Sequence, residues 1–289
     1  MTILGHRGAP WEEFENTMQG FHACRTNGAH GFELDVYYLK CKTLIVFHGF
    51  DDDGKLDDYC LLPGECIMDY TYEEALQKLV FNPQYGEFPC PAEKTLSASI
   101  PTLEQVLMEF KGTGAMIKVE MKGEGTVEPT IAMVQQCEML DQVYFCSFEI
   151  ERVKQVRQLF PQRNADGTHL YKTSALFKLN LERFLEESMD AGVTEVVLRY
   201  SSCTTERVRQ IHNAGMNSVV WFRGAIGMKT DVNELFHDAG NEDEAMYDIL
   251  LATGVQAMVV NRTNILVPML MQRGLYQNLW FGKQSNPQQ

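Results

Sequence analysis

The sequence predicts an α/β fold: a (β/α)8 TIM barrel with an insertion after its second strand. Three observations carry that prediction. Short apolar runs alternate with helix-length stretches along most of the chain, as strands joined by crossover helices would. Eight of the runs can lie parallel, the number that closes a barrel. The length of 289 residues and the 45% hydrophobic content suit one barrel of roughly 250 residues plus an insertion. An open doubly wound sheet is the rival fold. It would need a glycine-rich phosphate loop after the first strand, and none is present there.

The first strand is ILGH at 3–6. NTMQGFHACRTNG at 16–28 has a helical pattern and stops at a glycine, a common helix terminator. GFELDVYY at 31–38 is the second strand. TLIVFH at 43–48 is extended again after a turn-like KCK. That gap is too short for a parallel crossover, so this run should fold back as a hairpin. Residues 49–99 break the rhythm with an acidic DDDG, several tyrosines and Pro63, Pro83, Pro89 and Pro91. They are read as an insertion over the C-terminal face, within a single barrel domain spanning 1–289. PTLEQVLMEFKG at 101–112 is a helix with proline at its start and glycine after its end. Strands are then predicted at 115–121, 142–147, 168–176, 195–200, 217–222 and 256–260. Helices fall near 129–140, 149–159, 180–191, 205–214 and 243–253. The polar end, KQSNPQQ, is expected to fray.

The net charge of −14 argues against nucleic acid or an anionic membrane surface as a bulk partner. An anionic substrate would need a local positive site. The start, MTILGHRGAP, lacks the basic and apolar regions of a signal peptide. No run approaches the ~18 apolar residues of a membrane span. A cytoplasmic protein without stable membrane insertion is the expectation. Eight cysteines without a CxxC pair read as free thiols, with no structural zinc site.

Candidate chemistry gathers at predicted strand ends. His6 and Arg7 end the first strand, Glu33 and Asp35 lie late in the second, His48 ends the hairpin strand, and Glu120 and Lys122 end the third barrel strand. Barrel active sites form at the carboxyl ends of strands. Residues two apart on a strand share a face, so Glu33 points with Asp35 and Glu120 with Lys122. Two histidines can move protons, three carboxylates can hold one hard cation, and Arg and Lys can grip a phosphate. Oxygen ligands without a thiolate favour Mg²⁺, Ca²⁺ or Mn²⁺ over zinc. Taken singly, each residue has a plainer reading: solvated acids, a structural histidine, a surface lysine. The combination, in order and at strand ends, points to metal-assisted cleavage of a phosphodiester.

HRGAP at 6–10, FENT at 14–17, GAHGFELDV at 28–36, VFH at 46–48, IPTLEQVL at 100–107 and VEMK at 119–122 together resemble the glycerophosphodiester phosphodiesterase family, a group of phospholipase-C-like barrels. CSF at 146–148 and VVW at 219–221 are weaker matches. The resemblance implies metal-dependent hydrolysis of glycerophosphodiesters to glycerol 3-phosphate and an alcohol. It implies one divalent cation, Mg²⁺ or Ca²⁺ with Mn²⁺ as a further choice, on Glu33, Asp35 and Glu120. His6 would be the base and His48 the acid. Arg7 and Lys122 would contact phosphate, Glu15 would orient Arg7, and Asn16 would support the site. Trp221 would line the alcohol pocket or, equally, pack as a core aromatic.

Gly49 stands where the family often has Asp, Asn261 and Arg262 where it has a Thr-Asp-like pair, and Phe222 and Arg223 where it has small or amide residues. These departures bear on substrate preference. Two alternatives remain. One is a lysophospholipase D-like enzyme with Phe81, Tyr85 and Phe88 in an acyl-binding lid. The other is a catalytically silent barrel that binds a phosphoester.

Overall fold

The alternating runs fold as repeated βα units in the computed structural model, which describes residues 1–80, 99–178, 181–222 and 242–277. The strands are β1 (Thr2–Gly5), β2 (Gly31–Tyr38), β3 (Leu44–Val46), β4 (Lys55–Leu56), β5 (Leu62–Cys66), β6 (Met116–Met121), β7 (Val143–Ser147), β8 (Lys172–Phe177), β9 (Glu195–Arg199), β10 (Asn217–Trp221) and β11 (Ala257–Val260). All but β3, β4 and β5 are parallel members of one sheet. β1 pairs with both β11 and β2, which closes the sheet into an eight-stranded barrel. The predicted hairpin forms: β3 lies antiparallel on β2, with Val36 opposite Val46.

Strand alternation decides what faces the interior. Phe32, Leu34 and Val36 on β2, with Ile117, Val119 and Met121 on β6, are buried in the layer between strands and helices. There they meet Phe21, Leu103, Val106 and Phe110. Their neighbours in sequence, Glu33, Asp35, Lys118, Glu120 and Lys122, are forced to the opposite face. The barrel's inner cluster holds Leu4, Cys146, Leu176, Val197, Val219, Ala257 and Val259. Lys118 meets Ser174 at 3.1 Å and pairs with Glu195, so its buried charge is compensated.

The helix Leu103–Phe110 begins with a capping box. Thr102 accepts from Gln105 N at 3.2 Å, and Gln105 Oε1 accepts from Thr102 N at 2.9 Å. Three differences from the sequence reading have local causes. Residues 168–171 do not join β8; Asp166 Oδ1 accepts from the Thr168 backbone and hydroxyl and holds a turn at the start of that run. A helix at Thr263–Gln272 was not predicted; Pro268 lies inside it, and an internal proline normally argues against a helix. Residues 55–78 contain the β4–β5 ribbon and a helix at Tyr72–Lys78, elements too short to register as periodicity.

Tyr59, Cys60, Ile67, Tyr70 and Ala75 of this segment share a second apolar cluster with Tyr37, Ile45 and Phe47 of the hairpin. Cys90, Phe81, Tyr85, Phe88, Arg223 and the polar end lie outside the described residues. The described cysteines are all free thiols. Among the described residues no helix is long and apolar enough to cross a membrane.

Candidate active site

The HRG tripeptide turns sharply at the end of β1. His6 N–H donates to Val260 O at 2.8 Å. Arg7 follows with φ +54° and Gly8 with φ +97°. A Cβ on Gly8 would lie 2.7 Å from the backbone carbon of Gly20, so only glycine fits. This turn aims the Arg7 backbone N–H at Glu33 Oε2, 3.1 Å away. The loop bearing Glu15 and Asn16 is strapped to it, with Asn16 N donating to Arg7 O at 2.9 Å.

Asn16 then reaches Asp35 twice. Its Nδ2 donates to Asp35 Oδ2 at 2.9 Å, and its Oδ1 accepts from Asp35 N at 3.3 Å. Glu15 accepts from Arg7 Nη1 with both oxygens, at 3.2 and 3.0 Å, and from the Tyr59 hydroxyl. The Arg7 guanidinium also lies 3.6 Å from Asp35. Lys122 is 1% exposed; its ammonium donates to the His48 carbonyl at 2.7 Å and sits 3.8 Å from Asp35 and 3.7 Å from Asp52. The Tyr37 hydroxyl donates to the same carbonyl at 2.9 Å.

Glu33, Asp35 and Glu120 each offer an oxygen, and these oxygens lie within 4.8 Å of one another. Burial pushes the Glu33 carboxyl well up, and the charges of Asp35 and Glu120 add to it. Burial, then Asp35, pushes Glu120 to about 8. The imidazoles move the other way. Burial, then Arg7, holds both His6 and His48 well below the ordinary histidine range. The centre therefore carries crowded carboxylates beside neutral histidines. Such a set fits one hard divalent cation, which would offset the carboxylate repulsion.

The structure brings the sequence-predicted residues His6, Arg7, Glu15, Asn16, Glu33, Asp35, His48, Glu120 and Lys122 to one end of the barrel. His6 Nε2 is 3.9 Å from Glu33 Oε2. His48 Nδ1 is buried without a hydrogen-bond partner. Trp221, at the end of β10, is half-buried; its ring centroid lies 6.2 Å from that of His6 and 5.3 Å from that of Phe148. Its Nε1–H donates to Phe177 O at 3.1 Å. Gly49 has φ +68°, and a Cβ there would meet the Tyr37 hydroxyl at 3.2 Å, which accounts for glycine at this position.

Three contributors escaped the sequence reading. Tyr59 and Asp52 come from the 49–99 segment, and Glu242 reaches the site through Asn261. None of the three carries a local signal, whereas Asn261, directly after the last strand, stands out in the sequence as a departure from the family pattern.

A parallel barrel whose mouth sets histidines, an arginine and a lysine around three carboxylates belongs to the phosphodiester-cleaving class of barrel enzymes. Over residues 6–265 the sequence matches the glycerophosphoryl diester phosphodiesterase family, and the chain belongs to that family. YhdW of Bacillus subtilis, a glycerophosphodiester phosphodiesterase by name, is 28% identical over 229 residues, covering 76% of this chain and 85% of its own. Among solved structures, a protein of Galdieria sulphuraria named for the same activity superposes with a TM-score of 0.71 at 21% identity, covering 93% of this chain and 97% of that one. A phosphodiesterase of Oleispira antarctica, solved with the product sn-glycerol-3-phosphate, gives 0.67 at 18% identity, covering 94% and 97%. At these identities the two structures establish the shared fold.

Proposed function

We propose that the protein hydrolyses glycerophosphodiesters to glycerol 3-phosphate and an alcohol, with one divalent cation on Glu33, Asp35 and Glu120 and with His6 and His48 as the acid–base pair. The observation that carries this reading is the meeting of three carboxylates within 4.8 Å with a neutral imidazole 3.9 Å from one of them. When bound, Mg²⁺, Ca²⁺ or Mn²⁺ would polarise a phosphoryl oxygen. The family match and the names of the relatives support the substrate class.

The chain's own groups account for the rest. His6, held neutral by burial and by Arg7, takes a proton from the attacking hydroxyl. That hydroxyl is a glycerol oxygen of the substrate, by way of a cyclic phosphate, or water. His48 gives a proton to the leaving alcohol. An anionic phosphodiester in the mouth favours the imidazolium that this step needs. Acid–base catalysis of this kind contributes ~10²–10⁴-fold. Arg7 and Lys122 set positive charge beside the phosphate, Glu15 fixes the Arg7 fork, and Asn16 orients Asp35. Trp221 lines the alcohol pocket. The insertion at 49–99 is read as a cap within a single barrel domain; its residues 81–98 lie outside the described residues, and Tyr59 on Glu15 and Asp52 beside Lys122 support the reading.

The test is release of glycerol 3-phosphate from glycerophosphocholine and glycerophosphoethanolamine. It is run with each of the three ions and after EDTA, with Glu33→Ala alongside. Ion-dependent release that disappears in the variant is the expected result. Absence of release with every ion, from folded protein, would overturn the reading.

A further inference from the structure

Asn261 is the residue directly after β11. Its Oδ1 lies 2.7 Å from His6 Nδ1. Its Nδ2 donates to Glu242, and its backbone N–H lies 3.0 and 3.1 Å from the two oxygens of the same carboxylate. Glu242 also accepts from the Tyr247 hydroxyl at 2.6 Å and from Arg262 N at 3.3 Å. Glu242 is 0% and Asn261 1% exposed. This is a buried polar chain running from Tyr247 through Glu242 and Asn261 to His6.

The chain has a direction. A carboxylate only accepts, whereas an amide has one accepting and one donating end. Above pH about 7, where Glu242 is ionised, it therefore claims the amide NH₂ of Asn261. The amide oxygen is left facing the imidazole, and an oxygen there can only accept. His6 Nδ1 must carry the hydrogen, so the lone pair sits on Nε2, the nitrogen 3.9 Å from Glu33. We infer that Glu242 and Asn261 are positioning residues that fix His6 as its Nδ1–H tautomer, with Nε2 turned to the reacting centre. The inference rests on the reading of His6 as the base only for its catalytic consequence; the tautomer follows from the hydrogen bonds. A neutral imidazole in water favours neither nitrogen strongly enough to serve as a fixed base. Here the second neighbour of the ring makes the choice.

The test is imidazole ¹⁵N NMR of His6 in the full-length protein at mildly alkaline pH, without and with Mg²⁺. The signals of His6 are assigned by their loss in His6→Ala. The expected result is a pyrrole-type shift at Nδ1 and a pyridine-type shift at Nε2 in the wild type. Asn261→Asp sets two carboxyls in contact, which share a proton between them; the oxygen facing Nδ1–H stays an acceptor, so the variant should keep that pattern. Asn261→Leu should mix the tautomers and lower kcat on glycerophosphocholine by about 10–100-fold with little change in KM. A wild-type ring protonated at Nε2 would overturn the inference, and that result needs no variant to fold. So would an unchanged tautomer in a folded Asn261→Leu. If the tautomer is as inferred and His6→Ala keeps full turnover, the acid–base reading fails while the tautomer assignment stands.

Discussion

Lys122 holds His48 by its backbone, not its ring: the ammonium donates 2.7 Å to the His48 carbonyl while lying 3.8 Å from Asp35. One buried cation thus ties the hairpin strand that carries the second histidine to the acidic centre. Lys122→Met should remove the tie and leave Asp35 without its ammonium neighbour, while Asp52 keeps Lys178 at 3.2 Å. Breaking one partner of a buried charge cluster costs ~3–5 kcal/mol. Turnover should fall with it, even when an added divalent ion restores the melting temperature. Urea denaturation and steady-state rates, each with and without ion, check this. A variant of normal stability and rate would show that His48 needs no such anchor.

The Tyr59 hydroxyl donates to Glu15, which grips the Arg7 guanidinium with both oxygens. Tyr59→Phe deletes a hydrogen bond to a charged acceptor, worth ~1.5–3 kcal/mol, and loosens Arg7 without touching it. The expected outcome is a several-fold rise in KM for the phosphodiester and a lowered melting temperature. Glu15→Gln in the Tyr59→Phe background should add less than it does alone, since the residues act in series. Additive effects would separate the 49–99 segment from the phosphate-binding side of the site.

Glu33 is pushed well above the ordinary carboxylate range and Glu120 to about 8, so near neutral pH the ion-free centre retains protons. Cation binding must displace them. The sign follows: apparent affinity should rise as pH climbs through about 8, where Glu120 gives up its proton, with protons released on binding. Calorimetry with Mg²⁺ or Ca²⁺ in buffers of different ionisation enthalpy measures that release directly. Proton uptake, or affinity that does not change across this range, would count against these three carboxylates as the ligands. Glu33→Gln should weaken binding and reduce the release.

Much of this site was legible because strand alternation is a rigid rule. GFELDV and IKVEMK place apolar residues on one face and acids or lysines on the other, so Glu33, Asp35, Glu120 and Lys122 converge once the strands are recognised. The loop residues Glu15 and Asn16 came from the family resemblance, since nothing in FENT itself shows that Asn16 would take φ +55° and brace Asp35. What stayed hidden depends on contacts that no local pattern encodes. Glu242 meets Asn261 across 19 residues of chain, and Tyr59 meets Glu15 across 44. Pro268 concealed the last helix, whose Thr263, Leu266, Val267 and Leu270 are buried nonetheless. There burial outweighs the lost hydrogen bond.

Glu242 provides a separate handle on stability. Burial raises its carboxyl from 4.5 to about 7, against the lowering effect of its donors Tyr247, Asn261 and Arg262. An acid raised in the fold binds its proton more tightly there than in the unfolded chain. Its contribution is therefore complete below about 4.5 and is lost as pH rises through about 7. A shift of this size corresponds to on the order of 3 kcal/mol. Glu242→Gln carries a neutral group at every pH and cannot show this loss. The unfolding free energies of wild type and variant, measured at steps between those two values, should diverge with the wild type losing ground as pH rises. Other raised carboxylates, Glu33 and Glu120 among them, titrate in both proteins and cancel in the difference. Parallel curves would mean that Glu242 is already ionised throughout, its donors outweighing burial, and that the chain to His6 holds a full negative charge at every pH in the window.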